Sequence, residues 1–253
     1  YQAGWDSGNL VGLIGAYADI LFNKEANDTA AEFIRNQIRS IVNDPETAEA
    51  LCPKDYPVGT KRPCLDTNYY QTFNKPNVRL VNLRNNPITE ITPTGIKVGD
   101  EEIEVDAIVY ATGFDAMTGS FTRVDIRGTG GAKLADEWAD GPRTYLGVSI
   151  PRFPNFAFVG GPHFPFANVP RGVDPQVDFV TDLVVHAAQQ GYTFEPNEEA
   201  EEAWTEHVLA SSAPFLVADT SWFRGANIPG KADRFMLYTG GLVIYTNRLN
   251  DVT

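Results

Sequence analysis

The stretch Ala107–Ala116, AIVYATGFDA, runs from an apolar segment into a polar break that contains a glycine. The apolar part, 105–110, is rich in β-branched and aromatic residues and hardly alternates with polar ones, which is typical of a strand buried on both faces of an α/β sheet. Ligands of such sheets bind at the carboxyl ends of strands. Because Gly113 has no Cβ, a nucleotide or another backbone could approach it closely, and Thr112 and Asp115 offer polar contacts. The stretch predicts a binding edge, although a strand followed by an ordinary turn explains it equally well.

The composition is that of an acidic globular protein. Hydrophobic residues make up 43% of the 253, enough for a core, and 33 acidic against 20 basic residues give a formal charge of −13. This charge disfavours a nucleic-acid or anionic-membrane surface, so we expect neither partner. Only two cysteines occur, Cys52 and Cys64, and no apolar run is long enough to cross a bilayer, which predicts a cytoplasmic protein. The cysteines and the three histidines are too scattered for a metal site, and we predict none.

Periodic apolar residues and capping residues predict helices in the first third and the last third of the chain. These are a helix capped by Asn27 or Asp28, a short helix from Asp44-Pro45 to Cys52-Pro53, a helix from Asp174-Pro175 to Gly191, and a helix from about Asn197 to Pro214. Apolar segments bounded by turn residues predict strands at 78–83, 88–92, 95–98, 105–110, 122–127, 145–150 and 155–161. The segment Phe235–Tyr245 fits a strand, a turn and a helix of the core.

Three loops have an unusual composition. GTKRPCLDTNYY contains the adjacent cations Lys61 and Arg62, and VGGPHFPFANVPRG and TSWFRGANIPGK combine glycine, proline and aromatic residues. Taken singly, the first is explained by a solvated basic pair and the others by rigid surface loops. A complete G-x-G-x-x-G nucleotide turn is missing from the sequence, since GTGGAK has Lys133 where the last glycine belongs.

Taken in order, these motifs resemble one protein family. KRP, ATGFDA, YLGVSIPRFPNFAFVGGPHFPFAN, SWFRGANIPGK and YTGG follow one another as in the C-terminal half of a Baeyer–Villiger monooxygenase of the cyclohexanone-monooxygenase type, and WDSG and NDPETAEAL near the start fit the same family. The resemblance spans essentially the whole chain. It implies an enzyme that uses FAD, NADPH and O₂ to insert one oxygen next to a ketone carbonyl, through a flavin C4a-peroxide, giving an ester or a lactone.

The resemblance also implies the roles of particular residues. Arg62 would be catalytic, because a guanidinium stays protonated and can stabilise developing negative charge. Lys61 would bind the 2′-phosphate of NADPH, and Trp222 would hold its nicotinamide nucleotide. Further residues would lie at the cofactor (Thr112, Gly113, Asp115, Val169) or in the substrate pocket (Phe166, Ala167, Asn168).

The predicted fold class is therefore an incomplete α/β flavoprotein with FAD and NADP domains. Residues 1–57 would be a remnant of a helical insertion, 58–110 the last part of the NADP-binding domain and 111–253 the last part of the FAD-binding domain. The family's two glycine-rich turns are missing from this chain, which opens at Tyr1 and is expected to be a piece of a longer protein. Ala167 and Arg171 depart from the family pattern, so the ketone and its enantiomer stay open. A related flavin monooxygenase that oxidises nitrogen or sulfur, and an inactive remnant, are the alternatives.

Overall fold

The structure of this chain, a computed structural model, describes residues 1–61, 64–84, 86–217 and 219–252. Backbone contacts divide it into two compact units, Tyr1–Gly113 and Phe114–Thr253. The helices of the first unit are α1 Gln2–Asp6, α2 Leu10–Ile14, α3 Lys24–Ile41, α4 Pro45–Leu51 and α5 Tyr69–Thr72. Its strands are β1 Ile88–Ile91, β2 Gly95–Val98 and β3 Glu101–Glu104.

Helix α3 begins before the predicted cap at Asn27 or Asp28, so that prediction was wrong. Asn23 is the cap, and its side-chain oxygen accepts a hydrogen bond from the backbone N–H of Glu25 at 2.9 Å. Asn27 lies buried within the helix and donates to the carbonyl oxygens of Ile20 and Val58, at 2.8 and 3.0 Å. An asparagine suits a helix cap and a buried tertiary hydrogen bond equally well, and only the fold distinguishes the two uses.

The short helix α4 and the first two strands of the sheet confirm their predictions. Asp44 caps α4 by accepting from the backbone N–H of Thr47 at 2.8 Å, with Pro45 in the first turn. Strands β1, β2 and β3 form an antiparallel sheet in that order. A Cβ at Gly95 would overlap the carbonyl oxygen of Ile103 on the neighbouring strand, which explains the glycine at the start of β2.

The strands predicted at 78–83 and 105–110 are not paired with any strand that the structure describes, so both predictions were wrong. The second of these segments is extended, but Val109 and Tyr110 are 89% and 69% exposed. Among the described residues, the backbone N–H groups of 107–113 donate no hydrogen bonds. An apolar run indicates that a segment needs to be covered, whereas a strand also requires a neighbouring strand, which the described residues do not provide for this segment.

The second unit contains helices α6 Gly119–Thr122, α7 Leu134–Glu137, α8 Val169–Gln190, α9 Glu198–Ser212 and α10 Leu242–Asn250. Strands β4 Phe164–Pro165 and β5 Leu237–Tyr238 pair in parallel, and short 3₁₀ turns span Thr129–Gly131 and Trp222–Arg224. The main core of this unit consists of Leu146, Val148, Phe179, Trp204, Val208, Tyr238, Tyr245 and Leu249. No helix among the described residues is long and apolar enough to cross a bilayer.

The strands predicted at 122–127, 145–150 and 155–161 are irregular turns instead. Leu146 and Asn155 have positive φ, which breaks the extended geometry that a strand requires. Their apolar neighbours are nevertheless buried, because Val148 enters the main core and Ile150 packs in a second one with Phe153 and Phe158. The hydrophobic pattern predicted correctly that these segments contain buried residues and wrongly that they are strands.

The last helices agree with the sequence except at one end. Helix α8 begins at Val169, five residues before the predicted start at Asp174-Pro175, because Asn168 caps it. It ends as predicted at Gly191, which has a left-handed φ of 69°. Helix α9 begins near Asn197 as predicted, and the Asn197 side chain caps it by accepting from the backbone N–H of Ala200 at 2.8 Å. The segment Phe235–Tyr245 forms β5, a turn and the start of α10, as the sequence suggested.

Candidate functional site

The Trp222 loop, residues 221–231, is closed at its base by an ion pair and by backbone pairing. Arg224 donates to both carboxylate oxygens of Asp233, at 2.6 and 2.8 Å. The backbone N–H of Met236 donates to the carbonyl oxygen of Phe223 at 2.9 Å. Gly225 turns the chain with a φ of 77°, a conformation that favours glycine. These contacts make the loop a compact excursion between two fixed ends.

The other end of the Trp222 loop is attached to the segment that follows Gly113. The Lys231 ammonium donates to the Asp115 carboxylate at 2.6 Å and to the carbonyl oxygen of Ala116 at 2.9 Å. Asn227 donates to the carbonyl oxygen of Phe114 at 3.1 Å. The Lys231 and Asp115 side chains are only 13% and 15% exposed, so this ion pair is largely shielded from water. Two motifs that are distant in sequence, FDA and SWFRGANIPGK, are thereby brought together.

Aromatic rings connect Trp222 to the predicted substrate-pocket residues. The Phe223 ring centroid lies 4.4 Å from that of Trp222 and 5.6 Å from that of Phe166, in edge contacts. Phe223 is buried, whereas Trp222 is half-buried and Phe166 is exposed over 43% of its surface. Sequence reasoning missed Phe223, because its aromatic neighbours concealed which ring faces inward. The arrangement presents an apolar surface beside Trp222.

Phe166 is held in place by the short parallel pair of strands. Its backbone N–H donates to the carbonyl oxygen of Tyr238 at 2.7 Å, directly after β4. Ala167 is half-buried, and Asn168 accepts from the backbone N–H of Arg171 as the cap of α8. Val169 begins that helix and is exposed over 53% of its surface. The structure thus groups Phe166, Ala167, Asn168 and Val169 at one strand-to-helix junction.

A buried histidine lies just before this junction. His163 is fully buried, and its Nδ1 lies 2.7 Å from the hydroxyl oxygen of Thr144. Its Nε2 has no hydrogen-bond partner among the described residues. Burial, with a smaller contribution from the Arg234 charge, lowers the pKa of His163 from 6.5 to about 3. The imidazole is therefore neutral at physiological pH.

The remaining predicted site residues belong to the first unit. Thr112 and Gly113 are exposed; Gly113 has a φ of 90°, and nothing lies within 4 Å of the place where a Cβ would stand. Lys61 is exposed, with its Nζ 4.5 Å from the centre of the Tyr56 ring. The predicted catalytic residue, Arg62, lies outside the described residues. Within the described ranges, no cluster of three histidine, cysteine or acidic side chains could hold a metal ion.

Comparisons with known proteins find a group of similar flavin monooxygenases. No family model matches the chain. A Baeyer–Villiger monooxygenase of Pseudooceanicola batsensis is 40% identical across 100% of this chain and 47% of its own length. A crystal structure of cyclohexanone monooxygenase from Rhodococcus sp. Phi1, bound to NADP⁺, superposes with a TM-score of 0.94 at 40% identity, over 99% of this chain and 48% of that one. Along its whole length, the chain is similar to about half of a cyclohexanone-monooxygenase-like Baeyer–Villiger monooxygenase.

Two further relatives of this cyclohexanone-monooxygenase-like chain are informative. A complex of OTEMO with FAD and NADP has a TM-score of 0.86 at 41% identity, over 93% of this chain and 45% of that one. A phenazine N-monooxygenase of Lysobacter antibioticus is 41% identical over 100% of this chain and 47% of its own length. The chain spans about half the length of the relatives it matches, and its mixed α/β architecture is that of half of these flavoprotein structures.

Proposed function

We propose that this chain forms half of an FAD- and NADPH-dependent Baeyer–Villiger monooxygenase. The complete enzyme would insert one oxygen atom of O₂ next to a ketone carbonyl and release an ester or a lactone. The observation that supports this most strongly is the end-to-end similarity to the Baeyer–Villiger monooxygenase of P. batsensis, at 40% identity. Because the chain spans about half of that relative, the activity is a property of the completed protein.

The residues assigned to NADPH have the chemistry that this ligand requires. None of the described carboxylates pairs with Lys61, so its exposed ammonium is available for a phosphate. Trp222 presents a large ring that is fixed on one side by Phe223. A fixed aromatic surface suits the flat base or nicotinamide ring of a dinucleotide. We therefore assign Lys61 to the 2′-phosphate and Trp222 to the nicotinamide nucleotide.

The residues assigned to FAD leave their backbone accessible. Open space at the Cβ position of Gly113 allows a ligand to approach the main chain, and the backbone N–H groups of 107–113 donate no hydrogen bonds to described residues. Such donors suit the oxygens of a flavin or of its phosphates. When bound, FAD would supply the redox chemistry that links NADPH oxidation to the activation of O₂. Thr112 would add a hydroxyl donor at the same edge.

The protein's own contribution to the reaction lies in charge and in the exclusion of water. Arg62, which is protonated at every physiological pH, would stabilise the negative charge that develops during oxygen transfer. Phe166 and Val169 present apolar surface at the junction before α8, and we assign them to the wall that keeps water from the reacting carbonyl. Ala167 and Asn168 would shape the adjoining pocket. We further propose a cytoplasmic location, supported by the low cysteine content, and, from the charge of −13, no nucleic-acid partner.

One observation favours a second candidate function. The phenazine N-monooxygenase is 41% identical to this chain, so similarity over this half does not separate oxidation of a nitrogen from oxidation of a ketone. The two reactions give different products, since an ester has gained an oxygen between carbons and an N-oxide has gained one on nitrogen. The ketone reaction remains our proposal for two reasons. The Baeyer–Villiger monooxygenase of P. batsensis is matched over the same share of its length as the phenazine N-monooxygenase, and the motif order of the chain resembles the ketone-oxidising family.

The test is to complete the enzyme. The chain is fused to the part of the P. batsensis relative that it does not match, and the purified protein is assayed for bound flavin, NADPH oxidation and incorporation of ¹⁸O from labelled O₂ into ketone products. We expect a labelled ester or lactone. The control is the 253-residue chain expressed by itself, which should neither retain FAD nor consume NADPH, because it lacks the glycine-rich turns that bind the pyrophosphate.

Different failures of this experiment have different meanings. A flavin-loaded fusion that oxidises amines or sulfides but no ketone would favour the second function. A flavin-loaded fusion that consumes no NADPH would contradict both monooxygenase functions and support an inactive remnant. Stoichiometric flavin on the chain alone would show that FAD binding does not need the glycine-rich turns that the chain lacks.

A further inference from the structure

A group of contacts that the proposed chemistry does not use joins Asp115 to the Trp222 loop. The sequence placed Asp115 at the cofactor, but its carboxylate is occupied by the Lys231 ammonium at 2.6 Å. Arg123 lies on the other carboxylate oxygen at 3.7 Å. A Cβ at Gly119 would overlap the Asp115 carboxyl group, so the glycine leaves the space that this carboxylate fills. The Asp115 carboxylate is therefore surrounded by Lys231, Arg123 and Gly119.

Lys231 makes further contacts besides the one to Asp115. Its ammonium has a second acceptor in the carbonyl oxygen of Ala116 at 2.9 Å, and its aliphatic stem lies against Gly225, where an added Cβ would be 3.0 Å from the lysine Cδ. The side chain is 13% exposed. Removing one partner of an ion pair that is this well shielded destabilises the folded contact strongly, because the other charge then stays buried without compensation. Asn227 adds a hydrogen bond to Phe114 nearby.

We propose that Asp115 and Lys231 are positioning residues that hold the Trp222 loop against the segment after Gly113, and thereby fix Trp222 for the nicotinamide nucleotide. The loop's base is already closed by Arg224 and Asp233, so the Asp115–Lys231 pair and the Asn227 contact determine whether the residues beyond that base stay attached to the segment after Gly113. The closure of the loop follows from these contacts alone. Its effect on NADPH rests on the proposed function.

Limited proteolysis of the full chain tests the closure without any cofactor. Trypsin cleavage of the Arg224–Gly225 bond requires the loop to open, and the rate follows the open population when closing is fast. We expect Asp115→Asn and Lys231→Met each to accelerate this cleavage at least about tenfold. The first change leaves the shielded Lys231 ammonium without a carboxylate, and the second leaves the Asp115 carboxylate only the more distant Arg123. The double variant should be cleaved no faster than the single variants, because the two substitutions remove the same interaction.

The matched control is Asp125→Asn, which removes a charge from an exposed pair with Arg127 in the same unit and does not touch the loop. It should change the cleavage rate by less than about twofold. Cleavage after Arg143 and Arg152 reports on unfolding of the whole unit, and a variant that loses protection there is replaced by Asn227→Ala, which removes only the exposed contact to Phe114 and should accelerate loop cleavage about threefold. Equal cleavage of Asp115→Asn and Asp125→Asn, or no change in Asn227→Ala where it is used, would overturn the proposal, as would multiplicative effects in the double variant.

The consequence for NADPH is measured in the completed enzyme. Asp115→Asn should raise the KM for NADPH about tenfold while the flavin content stays that of the parent, because the loop positions Trp222 and does not bind FAD. A loop that is cleaved faster in a variant with an unchanged KM would leave the closure standing and would remove Trp222 from the nucleotide site. This outcome separates a failure of the proposed function from a failure of the positioning contact.

Discussion

The side chain of Gln176 should be the most sensitive polar position of the second unit. Its Oε1 accepts from the backbone N–H of Gly160 at 2.8 Å, and its Nε2 donates to the Tyr245 hydroxyl at 2.7 Å and to the carbonyl oxygen of Gly147 at 3.2 Å. The Tyr245 hydroxyl in turn donates to Leu146 at 2.6 Å. Burial raises the pKa of Tyr245, so this hydroxyl keeps its proton. The network joins α8, α10 and the turn at 146–147.

Replacing Gln176 by leucine leaves Gly160 and Gly147 without their side-chain partner and removes one of the two partners of Tyr245. At about 1–3 kcal/mol for each orphaned group, less the gain from the apolar surface that leucine buries, Gln176→Leu should lower the free energy of unfolding by about 3 kcal/mol. Urea denaturation followed by tryptophan fluorescence measures this, since Trp204 packs in the same core as Tyr245, with ring centroids 6.0 Å apart.

The matched control is Gln189→Leu, the same change on the same helix at an exposed position. It should alter the free energy of unfolding by less than about 0.5 kcal/mol. If Gln176→Leu and Gln189→Leu unfold at the same urea concentration, the buried network does not stabilise the unit and the reasoning is refuted.

Three further predictions concern single side chains. In the completed enzyme, Lys61→Ala should weaken the binding of NADPH much more than that of NADH, because only NADPH loses a charge-assisted contact. An equal loss of affinity for both cofactors in titrations would show that Lys61 does not bind the 2′-phosphate. Arg62→Ala should lower ester formation by about two to three orders of magnitude, as expected for loss of a preorganised donor to an oxyanion, and lysine should rescue poorly; a flavin-loaded variant that makes ester at the parent rate in rapid-mixing and product assays would exclude Arg62. Because the pKa of His163 is lowered from 6.5 to about 3 in the folded state, its neutral form stabilises the protein fully above pH 6.5 and this stability is lost as the pH falls towards 3. Urea titrations should therefore show a slope of up to about 1.4 kcal/mol per pH unit from this group, absent in His163→Asn; identical pH profiles of the two proteins would contradict the assignment.

Prediction from sequence succeeded where the signal is local. The helix starts at Asp44-Pro45 and near Asn197 and the helix end at Gly191 depend on backbone groups within a few residues, and all three are in the structure where the sequence placed them. The hairpin strands β1 and β2 are likewise neighbours along the chain. Prediction failed at 105–110, because the pairing of a strand depends on a neighbour that no local pattern identifies.

The candidate site shows the same division. The order of the motifs alone indicated the resemblance to cyclohexanone monooxygenases, and with it the expected roles of Lys61, Arg62 and Trp222. The folded chain was needed to show that the Asp115 carboxylate faces Lys231, a residue 116 positions away, and that Phe223 joins Trp222 to Phe166. The physical reason is that a charge or a ring has no partner until the chain folds, since its contact energy depends on distance in space and its motif on distance along the backbone.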